Sequence, residues 1–231
     1  MKVDLKGHAG FALMIGDTSI EASRLTMFCH LNDIKLIRIN RNYGLEDNYI
    51  PCGSVEWCEI ILEKKIIPDY YPEWLQDYLH RKVWKADKWP LEKVFIKPSE
   101  RYKRFTGFVT TGTYKGKKKP PYWCSEIVKF ENEWRYYIAN GKVLCSGWYS
   151  GDEVNTPDAP ELNIEIPPDF CGAVDFGWMQ KFNNWGDYFS LIEVNHPYAC
   201  GWYGPREQDH LYFEWLASGW EYMKKNYATI K

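Results

Sequence analysis

Residues 191–195 read LIEVN, three large aliphatic side chains of a strand entering a core, interrupted by an acid and an amide. Side chains alternate along a strand, so Glu193 and Asn195, at i and i+2, face the same way. Upstream, CGAVDFGW (171–178) sets Asp175 in an equally apolar strand. The polar stretch 179–189, with NNWGD inside it, can turn the chain back so that the two strands pair. Asp175, Glu193 and Asn195 then meet on one face. Two carboxylates about 4 Å apart repel by on the order of 4 kcal/mol at an effective dielectric of ~20, and one pKa is driven up. A hard divalent cation removes that penalty, and Asp, Glu and Asn oxygens suit Mg²⁺. Taken alone, the three residues also suit the polar side of a sheet edge.

Around this constraint the chain divides into two patterns. FALMI (11–15) reads as a strand, and in the adjoining GDTSIEASRLTMFCHLN Thr18 and Glu21 form a capping box. Ile20, Leu25, Phe28 and Leu31 share much of one face of that helix. IKLIRI (34–39) is a second strand, so the first 40 residues read as βαβ. Pro68, Pro72 and Pro90 punctuate residues 44–90, and PEWLQDYLHRKVWK (72–85) reads as helix. A boundary near Pro90 gives an N-terminal α/β unit, 1–90, and a strand-rich unit, 91–231. Within the latter, KVFIKP, FTGFVTTGTY, YWCSEIVKF and EWRYYIANGKVLCSGWY read as strands, with Asn140-Gly141 a hairpin turn. The chain closes on an amphipathic helix begun by Pro205, with Lys224 and Lys225 at its negative end. Tyr212, Trp215, Leu216, Trp220 and Met223 form its core face. The class expected is α+β.

Composition removes several functions. The net charge of −2 argues against a broad nucleic-acid surface. No apolar run approaches the roughly 20 residues of a membrane span. The start, MKVDLKGHAGFALMIGD, carries acids and only a short apolar stretch, unlike a signal peptide. Seven scattered cysteines with no C-x-x-C pair point to a reducing cytoplasm. The five histidines lack metal-ligand spacing, though His196 adjoins the acid-amide group as a candidate substrate contact. KGKKKPP (115–121) reads as a solvated hairpin tip.

FIKPSERYKRFTGF (95–108) adds a lysine at a strand end, then a basic loop closed by Gly107. Mg²⁺ commonly reaches proteins through a few carboxylates plus substrate phosphates. Lys97 would give those phosphates a point charge and the loop amides would cover them. A strand-end lysine with its head in water is the alternative.

In order, FIKP, the basic glycine-containing loop, SEIVKFENEWRYYI, AVDFG and LIEVN resemble the ATP-grasp superfamily, over about residues 75–200. The best match is to its carboxylate–amine ligases and small phage-associated members. The resemblance implies two lobes whose antiparallel sheets hold ATP between them, preceded by a small βαβ domain. It implies that Lys97 binds the α- and β-phosphates, with residues 99–107 over the triphosphate and Lys103 in contact with it. Glu126 and Glu133 would bracket the adenine hinge. Ile127 to Lys129 would offer backbone N–H and C=O groups to the adenine edge, and Glu133 would accept from ribose hydroxyls. Asp175, Glu193 and Asn195 would hold Mg²⁺.

Two departures from the family pattern matter. Where many relatives have a lysine before the KP strand, this chain has HRKVWK, which makes Arg81 the expected phosphate ligand and Lys82 the next choice. Where many ligases carry an arginine two residues before the metal aspartate, Ala173 stands here; Arg135 is expected to substitute, since its planar fork suits phosphate oxygens. The activity implied is that of a cytoplasmic ligase using ATP and Mg²⁺. It would join a carboxylate to an amine (amino acid, peptide or protein) through an acyl-phosphate, releasing ADP and phosphate. Ala173 leaves open an ATP-binding regulatory protein without ligase chemistry. The basic loop and aromatics leave open a nucleic-acid-binding module, recognisable by steep salt dependence.

Overall fold

The computed structural model describes residues 3–40, 45–46, 48–101, 104–111, 118–151, 157–181, 184–198 and 200–227, with backbone only at 181 and 184–187. The chain opens with β1 (Gly10–Met14), α1 (Ile20–Leu31), β2 (Lys35–Ile39), β3 (Tyr49–Cys52) and α2 (Val55–Ile61). The βαβ pattern forms a parallel sheet in the order β2-β1-β3. Helix α1 is capped one residue later than the capping box implies. Ser19, in an extended conformation, accepts the Ala22 N–H on its Oγ at 3.1 Å. The buried face of α1 is Ala22, Leu25 and Cys29, while Ile20 and Leu31 are 70% and 73% exposed. At 3.6 residues per turn both lie about 120° or more around the helix from Leu25. Leu25 and Phe28 pack inward as expected, beside the smaller Ala22 and Cys29.

The segment 72–85 is not one helix. A 3₁₀ helix spans Glu73–Tyr78, His80 takes a φ of 48°, and β4 (Val83–Ala86) comes next. The left-handed residue ends the helix, and Val83 and Trp84 find strand partners instead. β4 precedes Pro90 yet pairs with β7 (Tyr122–Ser125), in a sheet completed by β5 (Phe95–Pro98) and β6 (Phe108–Val109) in the order β4-β7-β5-β6. All its pairs are antiparallel. One face, with Ile96, Tyr122, Cys124 and Trp84, packs a small core of its own against Trp89, Phe105 and Phe108. The other face carries Lys85, Trp123 and Lys97 in a single cross-strand row.

A second antiparallel sheet takes β8 (Lys129–Ala139), β9 (Lys142–Ser150), β10 (Gly172–Lys181) and β11 (Asn184–Asn195) in the order β11-β10-β8-β9. Asn140 and Gly141, at φ 50° and 70°, make the expected turn, because both central residues of a type I′ hairpin need positive φ. Helix α3 (Asp209–Tyr227) buries the five residues expected of its core face. It covers one end of this sheet, where Tyr137 meets Trp202 at 4.7 Å and Trp215 at 5.2 Å. On its other side Phe213 packs on Phe28 at 4.2 Å and Phe11 at 5.8 Å. The main core therefore runs unbroken from the parallel sheet to the second antiparallel one. Among the described residues no helix is long and apolar enough to cross a membrane.

Candidate functional site

Period-two patterning puts three polar groups on one face, and strand pairing aligns them. Asp175 lies opposite Glu193, Ala173 opposite Asn195, and on the next strand Arg135 lies opposite Asp175. Arg135 grips Asp175 with two bonds, from Nε to Oδ1 and from Nη2 to Oδ2, each 2.8 Å. Asn195 Nδ2 donates to Asp175 Oδ2 at 3.2 Å and to Glu193 Oε1 at 3.0 Å. From the facing sheet, Lys97 Nζ donates to Glu193 Oε2 at 2.8 Å. Its charge also sits 3.6 Å from the Tyr70 ring centroid and 4.4 Å from that of Tyr71. Two residues along β8, Glu133 accepts from the Tyr149 hydroxyl. Tyr149 and Tyr203 flank the Arg135 guanidinium at 5.5 and 5.4 Å.

These groups are electrically unbalanced. Asp175 is fully buried. Burial lifts its carboxyl above the ordinary range, with Arg135 and Lys97 opposing and Glu193 adding to the lift. Glu193 moves the other way: burial pushes it up, but Lys97, Asn195 and Arg135 together carry it down. Glu133 is raised, first by burial and then by Asp175 and Glu193. Arg135 is held well above its usual value, because the adjoining Asp175 outweighs the cost of burial. Three carboxylates thus share two cations. The negative surplus sits on oxygen donors, the kind of set a hard divalent cation relieves. Among the described residues no three acids, histidines or cysteines alone could hold a metal. Asn195 is the third donor, standing between the two carboxylates, and its amide turned over would present oxygen to a cation there. Asp175, Glu193 and Asn195 therefore fit Mg²⁺ in donor chemistry.

Arg81, expected at a phosphate, here donates to protein acceptors. Its Nε donates to Ser125 Oγ, its Nη1 to Ser190 Oγ and to the carbonyls of Leu79 and Leu191, and its Nη2 to the carbonyl of Ile192. The reason lies in β11. Ile192 is an extra residue between the Asp175/Glu193 and Phe176/Leu191 pairs, a bulge. Two consecutive carbonyls become available beside it, and Arg81 takes both. Arg81 thus braces β7 against β11. We expect Arg81→Met to cost about 3 kcal/mol of stability by leaving several buried acceptors unmet. Urea denaturation would measure it; a loss of only a few tenths would remove the bracing role.

The cation that shares the Lys97 face is Lys85, which pairs with Trp123 from the other side of β7 and lies 4.8 Å over its ring. Sequence spacing did not single it out. Its parity with Lys97 becomes visible only through the common partner Trp123. Lys82 instead lies over Trp84 at 5.1 Å, and its backbone N–H donates to the Glu126 carboxylate at 2.8 Å. Residues 126–128 connect β7 to β8 and so join the two antiparallel sheets. Ile127 is half-buried in that connector, and Lys129 is exposed beside Glu131 at 3.8 Å. His196 packs between Tyr198 and Tyr227, and burial lowers its pKa to about 4. Lys103 and residues 115–117 of the basic run lie outside the described residues.

A cavity of about 860 Å³ opens at the carboxyl ends of β1 and β3, bounded by the segment after β11. Asp17, Ser19 and Glu21 line one side, Cys52 and Ser54 another, and Tyr203 a third. Tyr203 also touches Arg135, so cavity and carboxylate site adjoin. Gly147 on β9 makes this possible: a Cβ there would stand 2.2 Å from the Tyr203 carbonyl oxygen.

Residues 76–212 match the family model described as ATP-grasp domain, R2K clade family 2. No curated protein matches the chain. Among solved structures, one similar chain is the D-alanine–D-alanine ligase from Bacillus anthracis complexed with ATP, at 13% identity and a TM-score of 0.42. That likeness covers 94% of this chain and 97% of the other.

Proposed function

The chain belongs to the ATP-grasp superfamily, R2K clade family 2, and on that premise we propose that it is an ATP-dependent carboxylate–amine ligase working through an acyl-phosphate. The α+β architecture, with two four-stranded antiparallel sheets and a small parallel one, is the ATP-grasp fold. ATP use comes with the family; the acyl-phosphate, the Mg²⁺ and the amide product are our reading. The observation that supports it best is the Lys97–Glu193 contact, which joins the two sheets at an array of oxygen ligands.

A triphosphate entering there would draw Lys97 away from Glu193, because three phosphate oxygens offer a cation more than one carboxylate does. Lys85, on the same face, supplies a second positive charge. Lys103 joins them by resemblance alone. Ile127 to Lys129 would present backbone groups to the adenine edge, with Glu126 holding the connector to Lys82. Glu133 would accept from the ribose hydroxyls. Mg²⁺, when held by Asp175, Glu193 and Asn195, would neutralise phosphate charge and align the transfer. Arg135, clamped by Asp175 and walled by Tyr149 and Tyr203, keeps a fixed charge where the phosphoryl group moves, and such preorganised charge favours the transition state. It takes the place left by Ala173. The substrate carboxylate oxygen attacks the γ-phosphorus and the bond to ADP breaks. The amine lone pair then attacks the acyl carbon, the C–N bond forms, phosphate leaves with the C–O electron pair, and the proton lost from nitrogen passes to the departing phosphate. Seven free cysteines suit a cytoplasmic setting.

The test is to incubate the protein and Mg-ATP with pooled amino acids and short peptides. ADP and phosphate should rise in step with a new amide mass. AMP and pyrophosphate instead would refute the acyl-phosphate route. Tight ATP binding without turnover on any pool would favour the regulatory reading.

A further inference from the structure

The family match begins at residue 76, yet two side chains from before it stand inside the carboxylate site. Residues 68–71 read PDYY and follow α2. Tyr70 and Tyr71 are both buried, and Lys97 Nζ lies over each ring, 3.6 and 4.4 Å from the centroids. The two centroids are 6.3 Å apart.

Backbone bonds fix this placement. β11 is an edge strand of its sheet, and the Val194 N–H, between Glu193 and Asn195, donates to the Tyr70 carbonyl at 2.9 Å. Gln76 Nε2 donates to the Tyr71 carbonyl at 2.6 Å. The Tyr71 ring stands edge-on to Trp123 at 5.0 Å, and Trp123 is the cross-strand partner of Lys97. One short segment thus ties the strand of Glu193 and Asn195 to the strand of Lys97.

Among the described residues Lys97 has one ion-pair partner, Glu193 at 2.8 Å. In the proposed reaction that carboxylate goes over to Mg²⁺, and an ammonium on a flexible four-carbon stem then needs another hold. Aromatic faces attract an ammonium through the ring quadrupole and add no net charge. A second carboxylate would hold Lys97 too, but it would repel the triphosphate. The field of Glu193 already reaches Tyr70, whose hydroxyl is raised by burial first and then by that carboxylate.

Resting on the reading of Lys97 as a phosphate ligand, we propose that Tyr70 and Tyr71 are positioning residues whose ring faces keep the Lys97 ammonium at the phosphates once Glu193 has turned to the metal. The ring faces carry the effect, not the hydroxyls.

Calorimetric titration of the full chain with a non-hydrolysable ATP analogue and Mg²⁺ reads it. Tyr70→Leu should weaken binding by about 5- to 30-fold, the scale of a desolvated cation–π contact. Tyr70→Phe, which keeps the ring, should stay within about threefold of the unaltered protein. In a Lys97→Met background the leucine substitution should change nothing further, because the cation it acts through is gone. A purely structural role would weaken binding equally in both backgrounds. Melting temperatures report the fold; should Tyr70→Leu melt early, Tyr71→Leu and Tyr71→Phe give the same comparison from the second ring. No loss with leucine, equal loss with phenylalanine, or equal loss with and without Lys97 would each overturn the proposal and leave the phosphate reading standing. An affinity unmoved by Lys97→Met would overturn that reading and this proposal with it.

Discussion

Glu193→Gln should yield a folded protein whose ADP release falls on the order of 10²–10³-fold, the usual scale for removing one preorganised electrostatic partner of a transferring group. The substitution is nearly isosteric, so the strand packing of Leu191 and Val194 is kept. It removes the negative charge that now holds Lys97 at 2.8 Å and that we assign to Mg²⁺. Lys97 keeps the Tyr70 and Tyr71 rings as partial compensation, so folding should survive. Single-turnover measurements at saturating Mg-ATP would separate the chemical step from binding. The loss should lie mainly in kcat, with the Mg²⁺ concentration needed for half-maximal rate raised. A rate close to that of the unaltered protein would place the metal-binding group elsewhere, however well Asp175 and Asn195 align.

Trp215→Ala should lower stability by about 5 kcal/mol, at the top of the range for truncating a buried aromatic. The indole is fully buried and its Nε1–H donates to the carbonyls of Ile138 and Gly172, both at 3.1 Å. Those carbonyls lie on paired positions of β8 and β10, so one side chain ties α3 to two strands. The ring also stands edge-on to Tyr137 at 5.2 Å and stacks with Tyr212 at 5.8 Å. Alanine removes the packing and leaves two acceptors unmet. Trp215→Phe restores much of the volume but not the donor, so it should cost about half as much. Urea unfolding of the three proteins would give both figures. A cost under about 1 kcal/mol for the alanine variant would mean that α3 is not what joins the parallel sheet to the larger antiparallel one.

Much of the candidate site was legible in the sequence, for a local reason. Glu193 and Asn195 share a face because strands have a period of two, and Asp175 joins them because the intervening segment is of hairpin length. The Asn140-Gly141 turn and the core face of α3 were readable for the same reason, since φ preference and helical period act within a few residues. The misreadings are equally physical. Residues 72–85 carry helix-compatible spacing, yet His80 breaks the run and Val83 and Trp84 pair with β7, a partner some forty residues away. Ile20 and Leu31 are apolar, but they lie about 120° or more around α1 from Leu25, off the side that buries Ala22, Leu25 and Cys29.

What the amino-acid order determined by itself was the set of chemical groups and their facing within each strand: oxygens at 175, 193 and 195, a cation at 97, a planar charge at 135. What only the tertiary structure decided was which of these find one another. Arg81 is a brace because the bulge at Ile192 turns two carbonyls toward it, and Lys85 stands with Lys97 because both pair with Trp123. Glu21 and Tyr203 come together at Gly201, after the last strand, where a Cβ would stand 3.3 Å from each. Periodicity is a property of neighbours along the chain, whereas partnership depends on register and close approach between segments far apart in it, and no local pattern encodes those.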